Sequence, residues 1–212
     1  ERVKNQPYVD LKRFHLGFHV GIHTQDLILT NSGIPTATGE TLFAEIPSYS
    51  PGFSVGIIGN LYLSQFMNLR MTPTINFGDK KIRYKAAGVD EFYETSLRSN
   101  YLSLPLSLKV TSLRLNNVRP YILGGIYGAA DLGRKKGNAV LLNSFDCGVE
   151  VGFGCDIYLP YFKLCPELKF SFGLIDLLKK DRSDLTDESL IVYTNALSKA
   201  KSRMISLVFN FE

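Results

Sequence analysis

Residues 13–23 alternate without interruption, with Phe14, Leu16, Phe18, Val20 and Ile22 on one side of an extended chain and His15, Gly17, His19, Gly21 and His23 on the other. A two-residue period predicts a strand lying between two unlike surroundings. The alternation returns along the chain. Residues 53–64 oppose Phe53, Val55, Ile57, Leu61 and Leu63 to Ser54, Gly56, Asn60 and Tyr62, with Ile58 an exception on the polar side. Residues 69–77 oppose Leu69, Met71, Ile75 and Phe77 to Arg70, Thr72, Thr74 and Asn76, which makes a hairpin across a brief connection at 65–68. Residues 101–111 are the most regular, with Leu102, Leu104, Leu106, Leu108 and Val110 against Tyr101, Ser103, Ser107, Lys109 and Thr111. Asn116 and Asn117 supply turn chemistry before residues 119–131, where Gly124, Gly125 and Gly128 blur the parity. Residues 144–156 set Phe145, Cys147, Val149, Val151, Phe153 and Cys155 against Ser144, Asp146, Gly148, Glu150, Gly152, Gly154 and Asp156. Residues 164–174 then oppose Leu164, Leu168, Phe170, Phe172 and Leu174 to Cys165, Glu167, Lys169, Ser171 and Gly173, and 202–211 close with Ile205, Leu207, Phe209 and Phe211.

Eight strands result, and their links alternate in length. Links after the second, fourth and sixth strands are short, whereas 24–52, 79–100, 132–143 and 175–201 are longer and polar. That asymmetry predicts an all-β, eight-stranded antiparallel transmembrane barrel with short periplasmic turns, longer extracellular loops and both termini in the periplasm. A soluble barrel would also alternate, but with its apolar side inward and Lys, Glu and Thr outside. Here the small face carries Gly17, Gly21, Gly148, Gly152 and Gly154, which suits a crowded eight-stranded interior. The apolar face, including Phe14, Phe18, Leu102, Leu104, Leu106, Phe145, Phe153, Phe170, Phe172 and Phe209, is therefore expected to meet lipid. Residues 1–12 read as a periplasmic N-terminal segment and 13–212 as the barrel.

Four prolines, Pro73, Pro105, Pro120 and Pro166, lie in or beside these strands. Each removes a ladder donor, and a closed barrel has no edge on which to hide it, so bulges or a displaced strand end are expected there. The stretch LTDESLIVYTNALSKA at 185–200 is permissive for a short extracellular helix or for a disordered loop.

Composition narrows the setting. At 212 residues, 45% of them apolar, with mean hydropathy +0.02, the chain makes one domain. It has no run of about 18 apolar residues for a spanning helix, and strands that hide apolar residues at alternate positions do not need one. The chain opens on Glu1, and we read it as a processed or trimmed form whose secretory leader has been removed. Net charge is +4, and the only cationic cluster, Arg134, Lys135 and Lys136, is one loop tip rather than a phosphate-tracking stripe, so nucleic acid is not a partner. Cys147 and Cys155 are eight residues apart on one strand, about 26 Å, too far to bridge, and Cys165 faces the opposite way; all three read as small fillers.

Three histidines on one face raise a metal site. His15, His19 and His23 are spaced by four strand residues, about 13 Å, so no two reach one ion without help from other strands, and they read as polar lumen lining. Arg70, Lys109, Asp146, Glu150, Glu167 and Lys169 would share a narrow interior, where charges persist only when paired, and a plugging network of salt bridges is expected. No nucleophile stands beside a matching base, no phosphate-binding glycine loop opens a helix, and neither CxxC nor HExxH occurs. Neither catalysis nor a cofactor is expected.

Several stretches resemble the outer-membrane β-barrels of Bacteroidetes: YLSLPLSLKV at 101, RPYILGG at 119 and FDCGVEVGFGCDIYL at 145. Longer segments, YSPGFSVGIIGNLYLSQFMNLRMTP at 49, DLGRKKGNAVLLNSFD at 131, LPYFKLCPELKFSFGL at 159 and ALSKAKSRMISLVFNFE at 196, are similar to the PorT (SprT-like) family. That resemblance implies a part in the type IX secretion system, which exports cargo bearing a C-terminal signal domain and supports gliding motility in some relatives. It implies no catalytic residues. The expected partners are outer-membrane lipid, lipopolysaccharide and other secretion components, around a monomeric barrel. The rival expectations are a generic barrel that stabilises the envelope and a lipid-modifying barrel enzyme.

Overall fold

The computed structural model describes residues 4–31, 42–45, 50–86, 92–98, 100–132, 145–177 and 197–212. A short 3-10 turn at Val9–Leu11 precedes twelve strands: β1 (Phe14–Asn31), β2 (Leu42–Glu45), β3 (Ser50–Ser64), β4 (Met67–Met71), β5 (Thr74–Phe77), β6 (Asp79–Ala86), β7 (Phe92–Arg98), β8 (Tyr101–Thr111), β9 (Val118–Asp131), β10 (Phe145–Tyr158), β11 (Lys163–Gly173) and β12 (Leu197–Phe211). Every pairing is antiparallel. The order β1-β12-β11-β10-β9-β8-β4-β3 closes through β1–β3, with β5 continuing the line of β4 between β3 and β8. The barrel is thus closed, and eight-stranded when β4 and β5 are taken as one interrupted strand.

Closure places each alternating pattern with its small polar face inward. Ser54, Asn60, Ser103, Ser107, Glu150, Glu167, Ser171, Ser206 and Asn210 are buried, while Phe14, Phe18, Leu102, Leu104, Leu106, Phe145, Phe153, Phe172 and Phe209 are exposed on the outside and Phe170 is half-buried there. A water-soluble barrel would reverse this. Ile58 does follow the polar parity and is wholly buried, and Tyr121, Leu123 and Val208 join it as apolar inward residues. Cys147 and Cys155 are half-buried, Cys165 is buried inside, and all three are free thiols.

The loops differ from the sequence reading. β1 runs on to Asn31 and β12 begins at Leu197, and β2, β6 and β7 form a second, three-stranded sheet within segments expected to be loops. The helix-permissive stretch and Arg134–Lys136 lie outside the described residues, except that 197–200 is strand rather than helix.

At the prolines the expected bulges do not form, and the expected strand end occurs at Pro73 alone, in the break between β4 and β5. Register is unchanged across Pro73, from Met71↔Leu106 to Thr74↔Ser103, and the recorded shifts lie elsewhere, at Thr30/Asn31 and Tyr62/Ser64. In an antiparallel hydrogen-bonded pair each residue both donates and accepts. Pro105 still accepts from Thr72 N at 3.2 Å but cannot donate back, and the Thr74 hydroxyl donates to Thr72 O at 2.7 Å instead. Pro120 accepts from Ser112 N at 2.9 Å, and Arg119 Nε donates to Ser112 O at 2.8 Å. A neighbouring side chain supplies the proton that each of these two prolines lacks. Pro73 falls in the break between β4 and β5, where its carbonyl accepts from Ile57 N at 3.1 Å. Pro166 lies opposite Cys155, in a gap between the ladder pairs Gly154↔Glu167 and Ile157↔Leu164, which keep one register.

Candidate functional site

The site that the strands build is the barrel interior. β4 projects Arg70 inward, where it meets Glu167 of β11 at 3.0 Å and Glu212, just past β12, at 2.6 Å. Glu167 also faces Lys169 at 3.3 Å and accepts the Tyr121 hydroxyl at 2.6 Å. Glu212 pairs with Lys163 as well. Lys109 of β8 reaches both carboxylate oxygens of Asp156 on β10, at 2.7 and 2.8 Å, with its ammonium 3.9 Å from the centre of the Tyr121 ring. Glu150 accepts the Ser107 hydroxyl and lies 4.0 Å from Lys169. Four cations, Arg70, Lys109, Lys163 and Lys169, therefore intermesh with four anions, Glu150, Asp156, Glu167 and Glu212, around the Tyr121 ring. Charges this deeply buried persist because each has a close opposite charge and further hydrogen bonds.

Of the six residues expected in this network, Arg70, Lys109, Glu150, Glu167 and Lys169 lie in it. Asp146 stands apart toward the other end, accepting from Ser202 and, at 3.4 Å, from Tyr127. Lys109 takes Asp156 as its partner rather than one of the other five. The sequence reading also left out Lys163, Glu212 and Tyr121. Lys163 and Glu212 each lie one residue outside a predicted strand yet keep its parity, and Tyr121 falls where glycines hid the parity; extending each alternation by one residue would have found the first two.

The three histidines line the wall from β1, spaced too widely to share an ion, and among the described residues no three of His, Cys, Asp and Glu converge on a metal site. His19 Nε2 lies 3.1 Å from Thr74 Oγ1, whose own proton goes to Thr72 O, so the imidazole is the donor. His23 Nε2 lies 3.0 Å from Gln25 Nε2. The two rings need space on β3, and the register supplies it by setting His19 opposite Gly56 and His23 opposite Gly52. A Cβ at Gly56 would fall 2.5 Å from the His19 ring, and one at Gly52 would fall 2.5 Å from that of His23.

Toward the outer end the interior opens into a cavity of about 60 Å³ lined by Tyr101, Tyr127, Asp146, Glu150, Arg203 and Met204, among others, with room for a few water molecules. Arg203 pairs with Asp26 beside it. The opposite mouth is covered. Asp10 in the 3-10 turn accepts the hydroxyl of buried Tyr158 at 2.7 Å and pairs with Arg119 at 3.4 Å. Asn5 bonds Asn117 Oδ1 at 2.9 Å and Tyr158 O at 3.0 Å, and Gln6 bonds Leu159 O at 2.9 Å. Arg114 completes the seam, donating to Gln6 O and Asn5 O with its guanidinium 3.6 Å from the centre of the Tyr158 ring. The segment before β1 is thus tied across the mouth where the short turns 65–66, 112–117 and 159–162 lie.

A closed eight-stranded barrel with an apolar outside, an ion-paired interior and alternating short and long links is a bacterial outer-membrane β-barrel. The chain belongs to the outer membrane protein beta-barrel domain family, whose model matches residues 3–179. Among solved structures it is similar to the outer membrane protein OprG from Pseudomonas aeruginosa, at 11% identity and TM-score 0.50 over 92% of this chain and 93% of that one. It also matches Neisserial surface protein A, at 14% identity and TM-score 0.45 over 94% and 98%, and Ail of Yersinia pestis, at 8% identity and TM-score 0.41 over 94% and 99%. Such likeness extends to the fold. No curated protein sequence matches the chain.

Proposed function

We propose that this barrel serves protein export by the type IX secretion system, as an accessory or assembly component that works through contacts at its wall, loops or periplasmic segment, and not as an enzyme. The observation that carries the reading is the filled interior. Arg70, Glu167, Glu212, Lys163, Lys109 and Asp156 occupy the lumen with side chains bound to one another, and folded cargo needs a far wider opening than eight strands enclose. A barrel filled in this way suits a component that acts by binding rather than as the conduit. The resemblance of the segments at 49, 131, 159 and 196 to the PorT (SprT-like) family supplies the secretion system. The barrel itself is read as a monomer in contact with outer-membrane lipid and lipopolysaccharide, and in gliding relatives the same role supports motility.

Deleting the gene tests this directly. Loss of signal-bearing cargo from the culture medium is expected. An unchanged secretome with a fragile envelope would replace the reading by a generic stabilising barrel, and altered lipid A acylation would replace it by a lipid-modifying enzyme.

A further inference from the structure

The covered mouth carries a surface that the barrel itself does not use. On the capping segment Tyr8 is 76% exposed, and on the adjoining turns Leu115 is 68% and Tyr161 95% exposed. Bare apolar side chains clustered on a water-facing end mark an interaction site. Lys4, Lys12 and Arg13 are exposed around them. Among the described residues of the capping segment and the three short turns, the single carboxylate is Asp10, already held by Arg119 and Tyr158. This end of the molecule therefore bears exposed apolar and cationic side chains and, among the described residues of that segment and those turns, no carboxylate but the one that Arg119 and Tyr158 hold.

Two kinds of anionic surface would suit that charge, lipid headgroups and acidic protein, and the position of the cap separates them. Arg119 and Tyr158 are inward-facing, buried side chains, and both hold Asp10, so the 3-10 turn sits over the lumen inside the ring of strands. Tyr8 is its immediate neighbour in sequence. It is 76% exposed beside a turn that the lumen residues Arg119 and Tyr158 hold. Leu115 belongs to the turn whose Arg114 donates to Asn5 O and Gln6 O, so that turn adjoins the cap.

We infer that the capping segment 4–13 and the turn 112–117 form a docking face for a periplasmic protein that presents an acidic segment with apolar side chains. The complementary charge speeds encounter and fixes orientation, and burial of Tyr8 and Leu115 holds the complex. The cap is suited to this because Asn5, Gln6 and Asp10 tie it to rigid turns, so little ordering is needed on binding. The inference rests on the secretion role only for the identity of the partner; the surface stands by itself.

The test places a photo-crosslinking amino acid at Tyr8, at Leu115 and, as a control on the outer wall, at Leu102, in the native outer membrane. Expected are protein adducts at the first two positions and not at the third, mapping to a peptide rich in Asp and Glu. The charge-reversed variant K12E/R13E should reduce them by about fivefold or more while its heat-dependent gel mobility shows an intact barrel. Adducts to phospholipid alone, absence of any adduct, or adducts indifferent to the charge reversal would each overturn the inference. Normal cargo export by a deletion strain, together with adducts in the strain that carries the photo-crosslinking protein, would overturn the secretion reading and leave the docking face standing.

Discussion

Lys109 and Asp156 are joined inside the barrel by two bonds of 2.7 and 2.8 Å. Replacing one member leaves the other charge buried without its counterion, whereas replacing both removes the desolvation penalty together with the attraction. K109M is therefore expected to cost about 3–5 kcal/mol in denaturant unfolding from detergent micelles, and K109M/D156L to recover most of it. A double variant as unstable as the single one would mean that Asp156 draws its stability from elsewhere. At Gly56 the limit is space: a methyl group there would stand 2.3 Å from Pro73 O as well as against His19. G56A should cost about 1–3 kcal/mol by overpacking, read by the same unfolding measurement. The chemistry of these residues was legible in the sequence, since parity alone put Lys109, Asp156, His19 and Gly56 on the inner face. Which cation meets which anion was not, because that depends on the stagger between strands distant in the chain.

At the scale of the strand, proline is tolerated by substitution of the donor. Thr74 and Arg119 each lie near a proline in space and donate a hydrogen bond to the carbonyl that the proline cannot serve. The sequence showed four missing donors and led to an expectation of bulges or a displaced strand end, the latter found at Pro73; it could not show that a neighbouring hydroxyl or guanidinium would take the place of the amide at Pro105 and Pro120 and keep the register. A non-additive outcome follows. R119M strips Ser112 O of its donor and releases Asp10, at a cost of about 1–3 kcal/mol. P120A restores a backbone N–H opposite that carbonyl, so R119M/P120A is expected to be more stable than R119M alone in denaturant unfolding, although P120A changes little by itself. Equal stability of the two would show that Arg119 acts through Asp10 and Gln65 O rather than through Ser112 O. The strand ends beyond Gln25 and before Ser202 were harder to read for a related reason: the alternation breaks, on β1 into the apolar run Leu27, Ile28 and Leu29, and pairing between β1 and β12 persists without it.

The whole molecule combines two closures in series, an ion-paired layer inside the barrel and a capping segment across the periplasmic mouth. The barrel class and its inside-out arrangement were legible from the alternation and link lengths, because lipid imposes one pattern on every strand it touches. The cap was not, since residues 4–12 show no periodicity and are held by side-chain contacts to Arg114, Asn117, Tyr158, Leu159 and Arg119. Two closures make distinct predictions for transport. If the inner layer seals the lumen, removing residues 4–12 unplugs only the mouth, and the truncated barrel should show no stable conductance in a planar bilayer, like the full chain. Conductance on truncation alone would mean that the cap is the seal and that the cations and anions around Tyr121 leave a continuous aqueous path. Silence in both cases, with cargo export lost on truncation, would assign the segment to binding rather than to gating, because the only property that deletion then removes is the surface it presents to the periplasm.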